Sequence, residues 1–185
     1  VPVAFRHNAV FSTNTARENM DLANQTITRR EVTVWNSVWM TDRDVRAPWD
    51  TVRTGTTLTR GQDGTTLFFR QRKYNTLGDP VALVKGTEML LLRAEAALRD
   101  NNVASAMTFI NQERATFTLA ALTANTVNEA FAILMRERGA LLWLEGRRLW
   151  DLRRWLAEGR NSTLQGRSTC VPISLEEQGA NPNLR

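Results

Sequence analysis

One stretch constrains this chain more than any other: Thr126 to Glu158, TVNEAFAILMRERGALLWLEGRRLWDLRRWLAE. Val127, Phe131, Leu134, Leu141, Leu142, Leu149, Leu152 and Leu156 recur at steps of three, four and seven, the spacing that lines one face of an α-helix. Thr126 followed by Glu129 fits a capping box, which satisfies amides the first turn would leave unpaired, and Gly159 marks the end. The expectation is one amphipathic helix from Thr126 to Glu158 whose apolar face must be covered by other elements.

The same stripe runs through Arg138 and Glu145, so charged side chains fall among Leu and Trp and require partners. Helical spacing offers Glu145 to Arg148 at i+3, Arg147 to Asp151 at i+4, and Asp151 to Arg154 at i+3. Arginine suits a two-pronged grip on a carboxylate better than lysine does. Glu145, Arg147, Arg148, Asp151 and Arg154 are therefore read as a structural ion-pair network. Two neighbouring carboxylates, Glu145 and Asp151, also suggest acid–base chemistry, but an arginine within a turn of each holds it ionised. Gly146 marks either a kink or a close backbone approach.

Upstream, Thr87 to Arg99 and Val103 to Thr116 carry helical spacing, through Leu91, Ala94 and Leu98 and through Val103, Ala106, Phe109 and Ile110. Asn101-Asn102 separates them, and so short a link requires an antiparallel pair resembling one tetratricopeptide hairpin. Before them, residues 1–86 read as loops with short strands. Alternation from Arg29 to Met40 predicts an extended strand, and Asp63-Gly64 a turn with a hairpin across it. After Gly159 periodicity is lost, and residues 159–185 are expected to wrap as a tail anchored by Val171 and Ile173. The fold class is mainly α, a helix pair plus a long helix with a few short strands.

With 42% hydrophobic and 23% charged residues the composition is globular, and no apolar run reaches the ~20 residues of a membrane helix. The net charge of +5 comes from arginines spread among acids, since Lys73 and Lys85 are the only lysines, which argues against a nucleic-acid partner. His7 is the single histidine and stands far from Cys170, the single cysteine, so neither a nucleophile triad nor a transition-metal shell can be assembled. Neither lysine closes a Gly-rich phosphate loop. Asp42 and Asp44 lack the further oxygen ligands of a calcium site. The chain is read as non-enzymatic, without cofactor or metal.

The run ERGALLWLEGRRLWDLRRW at 137–155, then CVPISLEE at 170–177 and NPNL at 181–184, resembles the C-terminal part of the SusD/RagB family. EMLLLRAEAALRDNN at 88–102 and INQER at 110–114 resemble that family's preceding helix pair, and DRDVR at 42–46 its short DxR segment. The resemblance implies a nutrient-binding surface lipoprotein that delivers a glycan or other nutrient to a SusC-like TonB-dependent transporter. It also implies an outer-membrane, cell-surface location. The lipid-bearing N-terminal cysteine of such lipoproteins is absent here, so the lipid anchor is expected on a missing N-terminal part, and that part of the same protein, or another subunit, is expected to cover the apolar faces of the helices. Sugar-capturing surfaces stack flat rings against sugar faces, and Trp35, Trp39 and Trp49 lie in the irregular first third, where rings can be exposed. These three are the expected ligand contacts, while Trp143, Trp150 and Trp155 are assigned to packing. The alternative is a tetratricopeptide-like scaffold for a peptide or protein partner, with no sugar involved.

Overall fold

The computed structural model describes residues 1–14, 18–160 and 173–181. It comprises two compact units, Val1–Glu145 and Gly146–Arg185, which are taken in turn.

The first unit opens with β1 (Arg6–Ala9) and a short helix α1 (Asp21–Ala23) that runs into a π-helical turn at Asn24–Thr28. A single turn, α2 (Val38–Thr41), precedes β2 (Trp49–Thr51), β3 (Arg53–Thr54), β4 (Thr57–Leu58), β5 (Phe69–Gln71) and β6 (Val81–Lys85). These strands form three separate antiparallel ribbons, β1 with β6, β2 with β5 and β3 with β4. Arg6 stands opposite Lys85, and Thr51 opposite Phe69. A small core of Met20, Ala23 and Tyr74 gathers Phe11, Ile27, Leu77 and Leu144 around it.

The strand expected from Arg29 to Met40 is cut short. Thr33 Oγ1 accepts from the amide of Phe69 (2.9 Å) and donates to the carbonyl of Leu67 (3.0 Å), so a side chain replaces part of the ladder. Asn36 then takes a left-handed backbone, φ 58°, and the chain coils into α2. The Asp63-Gly64 turn is present: Asp63 Oδ1 accepts from the amides of Thr65 and Thr66, and Arg60 bridges to Leu67 across it.

Strand β6 passes directly into α3 (Gly86–Arg99), followed by α4 (Val103–Ala115) and α5 (Val127–Leu141). Glycine is required at 86, because a Cβ there would overlap the carbonyl oxygens of Pro2 and Val3. Leu91, Ala94 and Leu98 of α3, Ala106 and Ile110 of α4, and Ala130, Leu134 and Ala140 of α5 are fully buried, which identifies the three-helix layer as the main core. Each buried leucine contributes about 1.5–3 kcal/mol relative to exposure. The link is as short as expected, with Asn101 left-handed at φ 57° and the Asn102 side chain accepting from the amide of Ser105 (2.9 Å). Arg93 lies over the Phe109 ring at 4.1 Å and ties α3 to α4. The Thr126–Glu129 capping box at the head of α5 is formed.

The helix expected to run unbroken from Thr126 to Glu158 is two helices. Helix α5 stops at Leu141, and residues 142–147 form a turn with Leu144 at φ 61° and Gly146 at φ 72°. No neighbouring backbone lies within 4 Å of a Cβ placed on Gly146, so its left-handed φ is the reason for glycine there. Lys73 Nζ donates to the carbonyls of Leu141 (3.2 Å) and Trp143 (2.7 Å), and Lys85 Nζ to that of Leu141 (3.1 Å). Two cations thereby satisfy carbonyls that a continuing helix would have bonded itself, and they sit at the negative end of its dipole.

The second unit holds α6 (Arg148–Ala157), closed by Gly159, and α7 (Leu175–Ala180), whose cap Ser174 accepts from the amide of Glu177 (3.1 Å). A helical segment therefore occurs within the stretch expected to wrap as a tail. Cys170 and Val171 lie outside the described residues, and Ile173, expected as an anchor, is 47% exposed. Of the tryptophans assigned to packing, Trp155 is fully buried, whereas Trp150 is 60% exposed beneath the guanidinium of Arg153 at 5.1 Å.

Candidate functional site

The extended segment at Thr33–Trp35 lies against β5, with the amide of Val34 donating to the carbonyl of Phe69 (2.9 Å). That contact lays the Trp35 ring parallel on Phe69, centroids 5.3 Å apart and planes 15° from parallel. Trp49, on the neighbouring strand β2, meets Phe69 by its edge at 5.5 Å and 76°. Its Nε1 donates to the carbonyl of Trp39 (2.7 Å), and the guanidinium of Arg43 covers its face at 4.3 Å. The structure thus joins Trp35 and Trp49 through a buried phenylalanine and brings Trp39 in through its backbone. Trp35 is 42% exposed, while Trp39 and Trp49 are half-buried. An indole held rigidly on one face can stack a flat apolar ligand surface on the other, at little cost in side-chain entropy.

Beneath this aromatic ledge, the loop at 42–46 is pinned to the helices by a buried charge cluster. Arg46 grips Asp44 with two bonds (2.9 and 2.7 Å), reaches Glu113 of α4 (2.8 Å) and approaches Glu137 of α5 (2.7 Å). Arg114 and Arg136 also bind Glu137, each at 2.7 Å, and Arg136 extends to Asp42 (2.7 Å). Burial pushes the Glu113 carboxyl up to about 7 despite the nearby Arg46, helped by repulsion from Glu137 and Asp44. Burial acts on Asp44 in the same direction, but the hydrogen bonds and charge of Arg46 outweigh it and hold that carboxyl at about 2. Asp42 and Asp44 are thus occupied by arginines. No group of three His, Cys, Asp or Glu able to hold a metal ion occurs among the described residues.

A second cluster surrounds Glu145. Its Oε1 receives Lys73 (2.7 Å) and Lys85 (2.8 Å), and its side chain is 3% exposed. Desolvation lowers Lys73 to about 8 against the attraction of Glu145, and lowers Lys85 in the same way. Glu145, Lys73 and Tyr74, with Arg6, Asn8 and Asp79, line a cleft of about 250 Å³.

A family model described as the SusD family matches residues 8–183. The chain belongs to the SusD family. A solved structure similar to this SusD-family chain is a SusD superfamily protein from Bacteroides vulgatus, 22% identical, with a TM-score of 0.46. The match covers 70% of this chain and 34% of the other, so the chain spans about a third of that protein's length. No match was found among curated proteins.

Within this SusD-family chain the arginine-rich segment after Glu145 is arranged differently from a continuous helix. Residues 142–147 form a turn, so the i, i+3 geometry expected to join Glu145 to Arg148 does not exist there, and Glu145 is occupied by the two lysines. Asp151 and Arg154 meet at 3.0 Å within α6, while Arg147 is the residue before its first turn and Arg148 lies 5.8 Å over the Trp155 ring. Sequence reasoning missed Arg46 as the centre of a network, and it missed the shared role of Lys73 and Lys85. A signal existed for both: buried acids in DRDVR, INQER and RER need cations, and two lysines among 24 basic residues are conspicuous.

Proposed function

We propose that this chain captures a glycan or other nutrient at the outer-membrane surface, without catalysis, for delivery to a SusC-like TonB-dependent transporter. Family membership supports a role in nutrient binding. The observation that carries the ligand site is the Trp35 ring, parallel on Phe69 yet 42% exposed, with Trp49 beside it. Trp35, Trp39 and Trp49 supply the stacking ledge, and the Arg46 cluster holds the loop that carries Arg43 against the helices. No helix of the described residues is long and apolar enough to cross a membrane.

Glycan-array screening followed by calorimetric titration tests this reading. Trp35→Ala should weaken binding by about tenfold, the loss of roughly 1–1.5 kcal/mol of ring contact, while the chain stays folded with a modest fall in melting temperature from the lost stacking on Phe69. Full binding after replacing Trp35, Trp39 and Trp49 together would remove the ledge from the site.

A further inference from the structure

The cleft beside Glu145 has a chemical character of its own. Its wall includes Arg6, an exposed residue of β1 whose guanidinium makes no hydrogen bond or ion pair among the described residues. That guanidinium is close enough to lower the proton affinity of both Lys73 and Lys85. Two lysines share one carboxylate, so their pair with Glu145 carries an excess positive charge, and Arg6 adds another. Asp79 brings one negative charge, but its oxygens are committed to the amides of Asn75 and Thr76 and to the Thr76 hydroxyl. The balance at the mouth is one net positive charge.

The unfilled hydrogen-bonding capacity has two signs. Lys73 spends its three protons on Leu141, Trp143 and Glu145, which leaves the Arg6 fork and the Asn8 amide as donors toward a ligand. In the other direction, Glu145 Oε2 is buried and has no hydrogen-bond partner, an acceptor in want of a donor. A simple anion would answer only the donors, and a neutral sugar, whose hydroxyls can both accept and donate, would leave the positive charge of Arg6 without a counter-charge. A molecule carrying both a carboxylate and hydroxyls answers the two together. The volume of about 250 Å³ falls below the ~300 Å³ at which drug-sized pockets begin, which suits a single ring.

We infer that the Arg6, Asn8, Lys73 and Glu145 cleft is a subsite for one acidic sugar, a uronic acid whose carboxylate meets Arg6 and one of whose hydroxyls donates to Glu145. The inference rests on the glycan-capture reading only for the ligand's being a sugar. It adds to that reading a place, separate from the tryptophan ledge, where an acidic residue of a glycan is selected.

The test is titration of the full chain, by nuclear magnetic resonance shifts and calorimetry, with galacturonate, glucose and acetate. Galacturonate should bind, and glucose and acetate should bind at least about tenfold more weakly, because each lacks one of the two charge-assisted contacts. Arg6→Gln should weaken galacturonate by about tenfold and Arg6→Glu should abolish its binding, both with an unchanged melting temperature, since Arg6 is exposed and unpaired. Equal binding of acetate or glucose, or galacturonate binding unaltered in both Arg6 variants, would overturn the subsite. The two readings separate cleanly. A neutral glycan bound through Trp35 with no galacturonate response sinks the subsite alone, whereas Arg6-dependent galacturonate binding with no Trp35 dependence anywhere retains it and retires the ledge.

Discussion

Replacing Arg46 with methionine removes the buried cation that bridges Asp44, Glu113 and Glu137. Asp44, Glu113 and Glu137 have side chains no more than 1% exposed, so water cannot take over from the lost guanidinium. The cluster holds Arg46, Arg114 and Arg136 against Asp42, Asp44, Glu113 and Glu137, and the substitution leaves two cations for four acids. Leaving one member of a buried ion pair unpaired costs about 3–5 kcal/mol, a large share of the 5–15 kcal/mol that typically holds a domain together. At roughly 2–4 °C per kcal/mol for a chain of this size, the melting temperature should fall by about 6–20 °C at neutral pH. The pH dependence carries its own sign. Without Arg46 the Glu113 carboxyl, already raised to about 7 by burial, is pushed further up, and Asp44 loses the bonds that hold its carboxyl low. The penalty is then greatest above those raised values and shrinks as pH falls and the acids protonate in the folded chain. Scanning calorimetry of wild type and Arg46→Met at pH 7.5 and pH 5 measures both effects. A second substitution, Glu113→Gln, should restore part of the loss in the Arg46→Met background and provides a double-mutant cycle. An unchanged melting temperature at pH 7.5, or a gap between the two proteins that widens toward pH 5, would show that the cluster does not hold the 42–46 loop as described.

Thr126→Ala removes the side-chain half of the capping box and should cost about 1 kcal/mol in urea denaturation; no loss would mean the head of α5 is held by packing alone. Asp151→Asn, which weakens the 3.0 Å pair with Arg154 inside α6, should lower the melting temperature before it alters any ligand affinity, and the reverse order would make Asp151 a binding residue. Lys73 titrates near 8 in the folded chain and near 10.5 when unfolded. This group therefore binds fewer protons folded than unfolded across that window, and its contribution to stability rises with pH from about 8 to 10.5. Lys73→Met should flatten that rise in chemical-denaturation curves, and an identical pH profile would refute the assignment.

Several features that act within a few residues were legible in the chain itself. The capping box at Thr126, the Asn101-Asn102 break, the apolar faces of α3 and α4 and the Asp63-Gly64 turn are decisions of local backbone chemistry, and the sequence determined them. The SusD-family signature was legible for a similar reason, since it is carried by contiguous runs. What the sequence could not decide was where the stripe after Thr126 stops being one helix, because its periodicity continues past Leu141 without a mark beyond Gly146. At the stop stand Lys73 and Lys85, which reach Glu145 across sequence separations of 72 and 60 residues. Arg46 finds Glu113 across 67 residues, and Trp35 finds Phe69 only because β5 brings it alongside. Charges and rings of this kind choose partners by distance in the folded chain, where burial removes the competition from water. Only the tertiary structure decides which of many arginines, acids and aromatics are close enough to meet.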